Sequence, residues 1–170
     1  DICVSTGTSS GKTLVYGLFI AYLFLEDRDS RSILIYPTKA LSRDQKLELE
    51  DLYKKLGLDI DIGVYDGDVS SRKKRKVREK CNVVISNFSG LNQYLPHHSG
   101  WNNIFSNLDL VVVDESHTYT GIEGMHVAWI LRRLLRISES DRYSSNPQIV
   151  FSSATIGNPR EHSRSLSGRD

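Results

Sequence analysis

Apolar residues in this chain come in short, uniform runs separated by longer amphipathic stretches. The runs Ile2–Val4, Ile33–Tyr36, Val83–Ile85, Leu110–Val113 and Gln148–Phe151 are too short for helices. Each predicts a strand; Leu110–Val113 is also too evenly apolar for a strand with one wet face, and it and Ile33–Tyr36 predict buried strands. Ile60, Ile62 and Val64 instead alternate with Asp59, Asp61 and Gly63, which predicts a half-exposed strand toward one edge of a sheet.

Between these strands lie helical patterns. Thr13 to about Glu26 is apolar on nearly every side (Leu14, Val15, Leu18, Phe19, Tyr22, Leu23), which predicts a helix buried between sheet and neighbouring helices. A second helix runs from Thr38 to about Leu56, with Leu47, Leu49, Leu52 and Leu56 on its apolar side and Gly57 as its stop. Met125 to Ile137 places Val127, Ile130, Leu131, Leu134 and Leu135 inward and Arg132, Arg133 and Arg136 outward. Phe88–Leu95 predicts a short helix or turn, Pro96–Trp101 an irregular segment pinned by Trp101, Ile104 and Phe105, and Pro159–Leu166 a short closing helix. Strand and helix alternate throughout without internal repeat, so the fold class is α/β with a mainly parallel sheet flanked by helices on both faces.

At 170 residues the chain makes one domain of ordinary size, burying ~70% of its unfolded surface. A net charge of +1 excludes a wholesale polyanion binder and leaves room for a local basic face. The one strong charge run is Ser70–Lys80, carrying Arg72, Lys73, Lys74, Arg75, Lys76, Arg78 and Lys80. It reads either as a solvated helix face or as a contact to a phosphate backbone. Cys3 and Cys81 have no disulfide or metal spacing, and His97 and His98 have no ligand partner nearby in sequence. Reduced thiols in an intracellular protein are expected, with the histidines anchoring a loop. No apolar run approaches the ~18 residues of a membrane span. The chain opens inside a strand, and the expectation is that the protein extends beyond it.

Candidate chemistry gathers at strand ends. Leu110–Val113 stops at Asp114 and Glu115; at the carboxyl end of a central parallel strand, paired acids suit a metal-bound phosphate and a directed water, although an acidic turn reads the same way. Ile2–Val4 feeds Thr6-Gly7-Thr8-Ser9-Ser10-Gly11-Lys12-Thr13. Small residues there let backbone N–H groups close around phosphate, with Lys12 for the outer phosphates and the Thr13 hydroxyl for Mg²⁺. The general pattern wants glycine where Thr6 stands, and a chance Gly-Lys-Thr in a Ser/Thr-rich turn is the competing reading. Ser153, Ala154 and Thr155 follow the last strand, while Thr38 and Lys39 open a helix that suits an anion or is simply capped.

TGTSSGKT, YPTKALSRDQ (Tyr36–Gln45), DESH (Asp114–His117) and SSATIGNP (Ser152–Pro159) together resemble motifs I, Ia, II and III of the first RecA-like domain of a superfamily 2 helicase. YDGD at Tyr65–Asp68, LPHHSGW, FSNLDLVVVDESHTYTG and HVAWILRRL are most similar to the MrfA/Hrq-type DEAH-box DNA helicases, relatives of the RecQ group. The resemblance covers essentially the whole chain. It implies a RecA-like P-loop NTPase fold, with ATP and Mg²⁺ as cofactors. It further implies that Gly7–Thr13 hold the phosphates, that Thr13 and Asp114 share the metal, and that Glu115 directs the attacking water. His117 would link the nucleotide site to Ser153, Ala154 and Thr155. Pro37, Thr38, Lys39 and Ala40, with Asp66, Gly67, Asp68, Ser86 and Asn87, would grip one DNA strand. A second RecA-like domain, absent from these 170 residues, would complete the motor, with DNA as the substrate the resemblance implies and no membrane partner; an RNA helicase, a translocase that separates no strands and a catalytically weak nucleic-acid binding module are the competing readings. Ser116 departs from the family pattern, standing where DEAH has alanine.

Overall fold

The computed structural model describes residues 1–7, 11–67 and 69–169. Six strands form one parallel sheet: β1 (Ile2–Ser5), β2 (Arg31–Ile35), β3 (Ile62–Val64), β4 (Val83–Ser86), β5 (Leu108–Val113) and β6 (Gln148–Ser153), in the order β1-β6-β5-β2-β4-β3. Every pairing is parallel, so all carboxyl ends meet along one edge. Four of the uniform runs are the inner strands β2, β4, β5 and β6, with β2 and β4 buried throughout, whereas the fifth, β1, is an edge of the sheet and leaves Ile2 about half exposed. The alternating run became β3, at the edge of the sheet as its pattern predicted, but it is not half-exposed: Ile62 and Gly63 are both buried, because α3 and Cys81 cover the face on which Gly63 lies.

Alternate side chains of each strand point to opposite faces, and two cores result. On one face, Leu34, Tyr36, Leu110, Val112 and Val150 pack against α1 (Lys12–Glu26) and α2 (Lys39–Leu56). On the other, Ile33, Ile35, Val84, Val111, Val113 and Phe151 pack against α3 (Ser71–Lys80), α4 (Phe88–Tyr94), α5 (Asn102–Ser106) and α6 (Gly121–Ser138). A 3₁₀ segment, Leu95–Trp101, joins α4 to α5, and α7 (Pro159–Ser167) closes against α6 and β1. Glycine is needed where α3 meets β3: a Cβ on Gly63 would lie 2.6 Å from Val77. Trp101, Ile104 and Phe105 are fully enclosed, and His98 anchors its segment through Nδ1 to the Tyr143 hydroxyl at 2.8 Å.

Two expectations fail in the same way. The first helix forms, but Leu14, Val15, Leu18, Tyr22 and Leu25 are each about half exposed, so α1 is covered by the sheet and α2 on one side only. On α2, Leu49 is buried while Leu47 and Leu56 face outward. A helix lying on one face of a sheet has a single covered stripe, and apolar content beyond that stripe does not create a second neighbour.

Candidate functional site

Strand order divides the carboxyl edge into two halves. The loops after β1, β6 and β5 carry the Gly-Lys-Thr, Ser-Ala-Thr and Asp-Glu residues, while the loops after β2, β4 and β3 carry Pro37–Ala40, Ser86–Asn87 and Tyr65–Gly67. The first half therefore draws its loops from the two ends of the chain and the second half from its middle.

In the first half, Gly11 adopts a left-handed conformation (φ 78°) and sets the head of α1, so that Lys12 and Thr13 enter the first helical turn. The Lys12 ammonium donates to the carbonyls of Thr6 and Gly7, each at 3.3 Å. Thr8, Ser9 and Ser10 of the predicted cradle lie outside the described residues. The Tyr16 hydroxyl, one turn along α1, is a junction. It lies 3.4 Å from Thr13 Oγ1, 3.0 Å from the Tyr36 hydroxyl, 3.1 Å from Gln45 Oε1 and 3.4 Å from Asp114 Oδ2. Tyr16 has one proton to donate. Gln45 Oε1 and the Asp114 carboxylate can only accept, so that proton serves one of them at a time, while Tyr36 supplies the opposite end of the chain. Burial, reinforced by the Asp114 charge, pushes the Tyr16 phenol well above its ordinary range, and burial does the same to Tyr36. Both remain neutral donors. Sequence reading missed this junction, because a tyrosine in an apolar helix looks like core.

Asp114 is buried, its Oδ1 accepting the Glu115 N–H at 2.9 Å and its own N–H donating to the Ile35 carbonyl. Glu115 has φ 49°, a left-handed geometry that costs a non-glycine residue of order 1 kcal/mol and occurs where surrounding structure imposes it. The turn carries His117 back toward both neighbours. Its Nδ1 lies 3.3 Å from Glu115 Oε2 and accepts the Ala154 N–H at 3.3 Å. One nitrogen cannot do both in one state: unprotonated, it accepts from Ala154; protonated, it donates to Glu115. Ala154 is fixed from its other side as well, its carbonyl receiving the hydroxyls of Ser153 at 2.7 Å and Ser5 at 3.2 Å. Thr155 is exposed. The Ser116 carbonyl meets His162 Nε2 at 2.7 Å, and the fully buried Ser116 hydroxyl finds no hydrogen-bond partner among the described residues.

In the second half, Thr38 caps α2 by accepting the Leu41 N–H at 3.3 Å, and Asn87 caps α4 by accepting the Gly90 N–H at 2.7 Å. Ser86 is buried and donates to the Tyr65 carbonyl at 2.7 Å. Asp66 is buried, whereas Lys39, Ala40 and Gly67 are exposed and Pro37 is half-buried. Asp68 lies outside the described residues. The head of α2 is thus exposed at the sheet edge, with the Leu41 and Ser42 N–H groups taken by Thr38, and Ser86 and Asp66 lie buried beneath that edge.

Among the described residues there is no group of three or more metal-ligating side chains, and no helix is long and apolar enough to cross a membrane.

The family profile described as DEAD/DEAH box helicase matches residues 1–162. The chain is 43% identical to the "Uncharacterized ATP-dependent helicase YprA" of Bacillus subtilis over 99% of its length, covering 22% of that protein. It is 40% identical to the "ATP-dependent helicase hrq1" of Schizosaccharomyces pombe, again over 99% of its length, covering 16%. Among solved structures, the DUF1998 helicase MrfA bound to DNA and AMPPNP superposes with a TM-score of 0.95 at 43% identity, over 99% of this chain and 24% of MrfA. The fold is RecA-like, and the chain spans about a fifth of the length of these relatives.

Proposed function

This chain belongs to the DEAD/DEAH box helicase family, and from that premise we propose that it is the first motor domain of an ATP-dependent DNA helicase. It couples ATP hydrolysis to translocation along DNA or unwinding of it. The observation that carries the nucleotide half is the Tyr16 junction, which stands 3.4 Å from both the Thr13 hydroxyl and the Asp114 carboxylate. A hydroxyl and one carboxylate, with phosphate oxygens to complete the shell, fit Mg²⁺, which keeps few protein ligands and prefers oxygen. Bound there, Mg²⁺ would neutralise phosphate charge.

The chain's own residues divide the remaining work. Backbone N–H groups of the loop ending at Gly11, with the head of α1, hold phosphate oxygens. Lys12 exchanges the Thr6 and Gly7 carbonyls for the outer phosphates, and Glu115 positions the attacking water. His117 turns the same nitrogen to that carboxylate when protonated and to Ala154 when not, joining hydrolysis to the loop after β6 by exchange between the two. The heads of α2 and α4, with Lys39 and the Tyr65–Gly67 turn, take the phosphodiester backbone of one strand. Binding of DNA and AMPPNP by MrfA supports both halves of this reading. A second RecA-like domain of the same protein completes the motor and supplies the arginine finger, worth about 10³ to 10⁵ in rate.

The test is ATP turnover by the intact protein with single-stranded DNA, with RNA and with neither. DNA should stimulate it, and both Lys12→Ala and Glu115→Gln should abolish it. Preferential stimulation by RNA would favour an RNA helicase, and turnover indifferent to Lys12→Ala would overturn the site. Full function after Glu115→Gln would leave a nucleic-acid binding module.

A further inference from the structure

The basic run has a place in the fold that its sequence did not disclose. Seven of the 22 basic residues and one of the 21 acidic residues lie in α3. The rest of the chain, with 15 basic against 20 acidic, is net negative. The positive charge of this domain is therefore concentrated on one ten-residue helix. Val77 is the helix's one buried residue, seated on Gly63 of the edge strand β3. Arg72, Lys73, Arg75, Lys76 and Lys80 are exposed, and Arg75 is held by Glu79 at 2.7 Å.

The helix begins just past the Tyr65–Gly67 turn, at the end of the proposed strand track farthest from the nucleotide. Under its inner flank lies an open hollow of about 320 Å³, rimmed by Lys74 and Arg78 at i, i+4 spacing and by Gln93 and His97, with the buried Asp66 also in its wall, so that phosphate is taken at the basic rim and not in the depth of the hollow. Its floor is aromatic: Tyr94 stacks on Trp101 with centroids 4.3 Å apart, and Tyr65 meets Trp101 edge-on at 4.5 Å. Lys74 sits over the Tyr65 ring at 5.4 Å. These rings are spent on each other, so the floor does not offer a stacking face; it seats the Lys74 ammonium, and Arg78 stands at the rim one turn on. The Tyr65 carbonyl is in turn pinned by the Ser86 hydroxyl at 2.7 Å, which ties the hollow rigidly to the β4 end of the track.

We propose that α3 and this hollow form a second contact to nucleic acid, one that takes the phosphodiester backbone beyond the strand-end track. This inference rests on the proposed function. The helix is ~15 Å long, and a duplex presents a charge about every 1.7 Å along its axis, so the exposed face spans several phosphates of either a longer single strand or a duplex. The contact reads no sequence; it lengthens the footprint and makes it salt-dependent. Continuity with the track favours nucleic acid over an acidic protein surface.

The experiment replaces Arg72, Lys73, Lys76 and Lys80 together by glutamine in the intact protein. Binding of a short single strand, a longer single strand and a duplex is measured by fluorescence anisotropy across a salt series. The short strand, filling only the track, should bind as before. Affinity for the longer strand or the duplex should fall about tenfold or more at low salt, with the log–log salt slope flattening by ~0.7 per lost contact for single strands or ~0.9 for duplex. The arm that changes identifies which backbone α3 touches. A charge-conserving variant (R72K, K73R, K76R, K80R) should bind normally, and an equal loss there would overturn the inference as a folding effect. Unchanged affinity and slope with every nucleic acid would overturn it while leaving the proposed function intact, as would selective loss of polyglutamate binding. A parent protein that binds no nucleic acid would overturn both.

Discussion

The Thr13 hydroxyl donates to the side-chain carbonyl of Gln45 across 2.8 Å, bridging 32 positions of sequence. Thr13 heads α1, the helix of the proposed phosphate loop, and Gln45 lies on α2, the helix whose first residues open the proposed nucleic-acid half. This bond leaves the Thr13 lone pairs free for a cation and ties their orientation to α2. Replacing Gln45 by leucine should weaken Mg²⁺-dependent binding of a nucleotide analogue about fivefold, the equivalent of one hydrogen bond of ~1 kcal/mol. Magnesium titration of analogue fluorescence reads this directly. Equal magnesium dependence in the variant would show that Gln45 does not orient the hydroxyl.

His117 shares one nitrogen between Glu115 and Ala154. His117→Ala should leave nucleotide affinity within about twofold, since neither partner loses a phosphate contact, and should reduce strand separation per ATP consumed by more than ~5-fold, the loss of one hydrogen-bond link at ~1 kcal/mol. Parallel unwinding and phosphate-release assays give that ratio. An unchanged ratio would assign the coupling elsewhere.

Ser116 buries a hydroxyl with no partner among the described residues. A stranded polar group costs about 1–3 kcal/mol, so Ser116→Ala should stabilise the domain by ~1 kcal/mol and raise its urea midpoint. Its carbonyl bond to His162 survives the change. Destabilisation by alanine would mean that the hydroxyl is satisfied after all.

Burial raises the phenols of Tyr16, Tyr36, Tyr53, Tyr94 and Tyr119 above their ordinary value of 10.0. An acid whose folded pKa exceeds its unfolded one is favoured neutral in the fold. The stability is therefore complete below pH 10 and lost as pH rises from 10 toward the folded values. Urea midpoints should be flat through neutral pH and fall steeply above about pH 10, with tyrosinate absorbance appearing together with unfolding. The chain has eight tyrosines, so tyrosinate absorbance equivalent to more than three of them in the still-folded protein would contradict the buried junction.

The sequence by itself determined the strands, the parallel α/β class and the residues at the strand ends, because short uniform apolar runs admit few alternatives and Gly-Lys-Thr or Asp-Glu after such a run has a fixed address. It pointed to β3 as an edge through its alternation, but not to the covering of both its faces by α2 and α3, nor to the evenly apolar β1 as the other edge. It did not determine how much of α1 is covered, because hydrophobic content does not say how many neighbours a helix has. Only the tertiary structure decided that β6 and β5 lie beside β1 while β4 and β3 lie beyond β2. That strand order separates the two halves of the site. It also brings Tyr16, Tyr36, Gln45 and Asp114 from four elements to one hydroxyl. Hydrogen bonds of about 3 Å depend on side-chain direction across the sheet edge, and nothing in the spacing of residues along the chain encodes that direction.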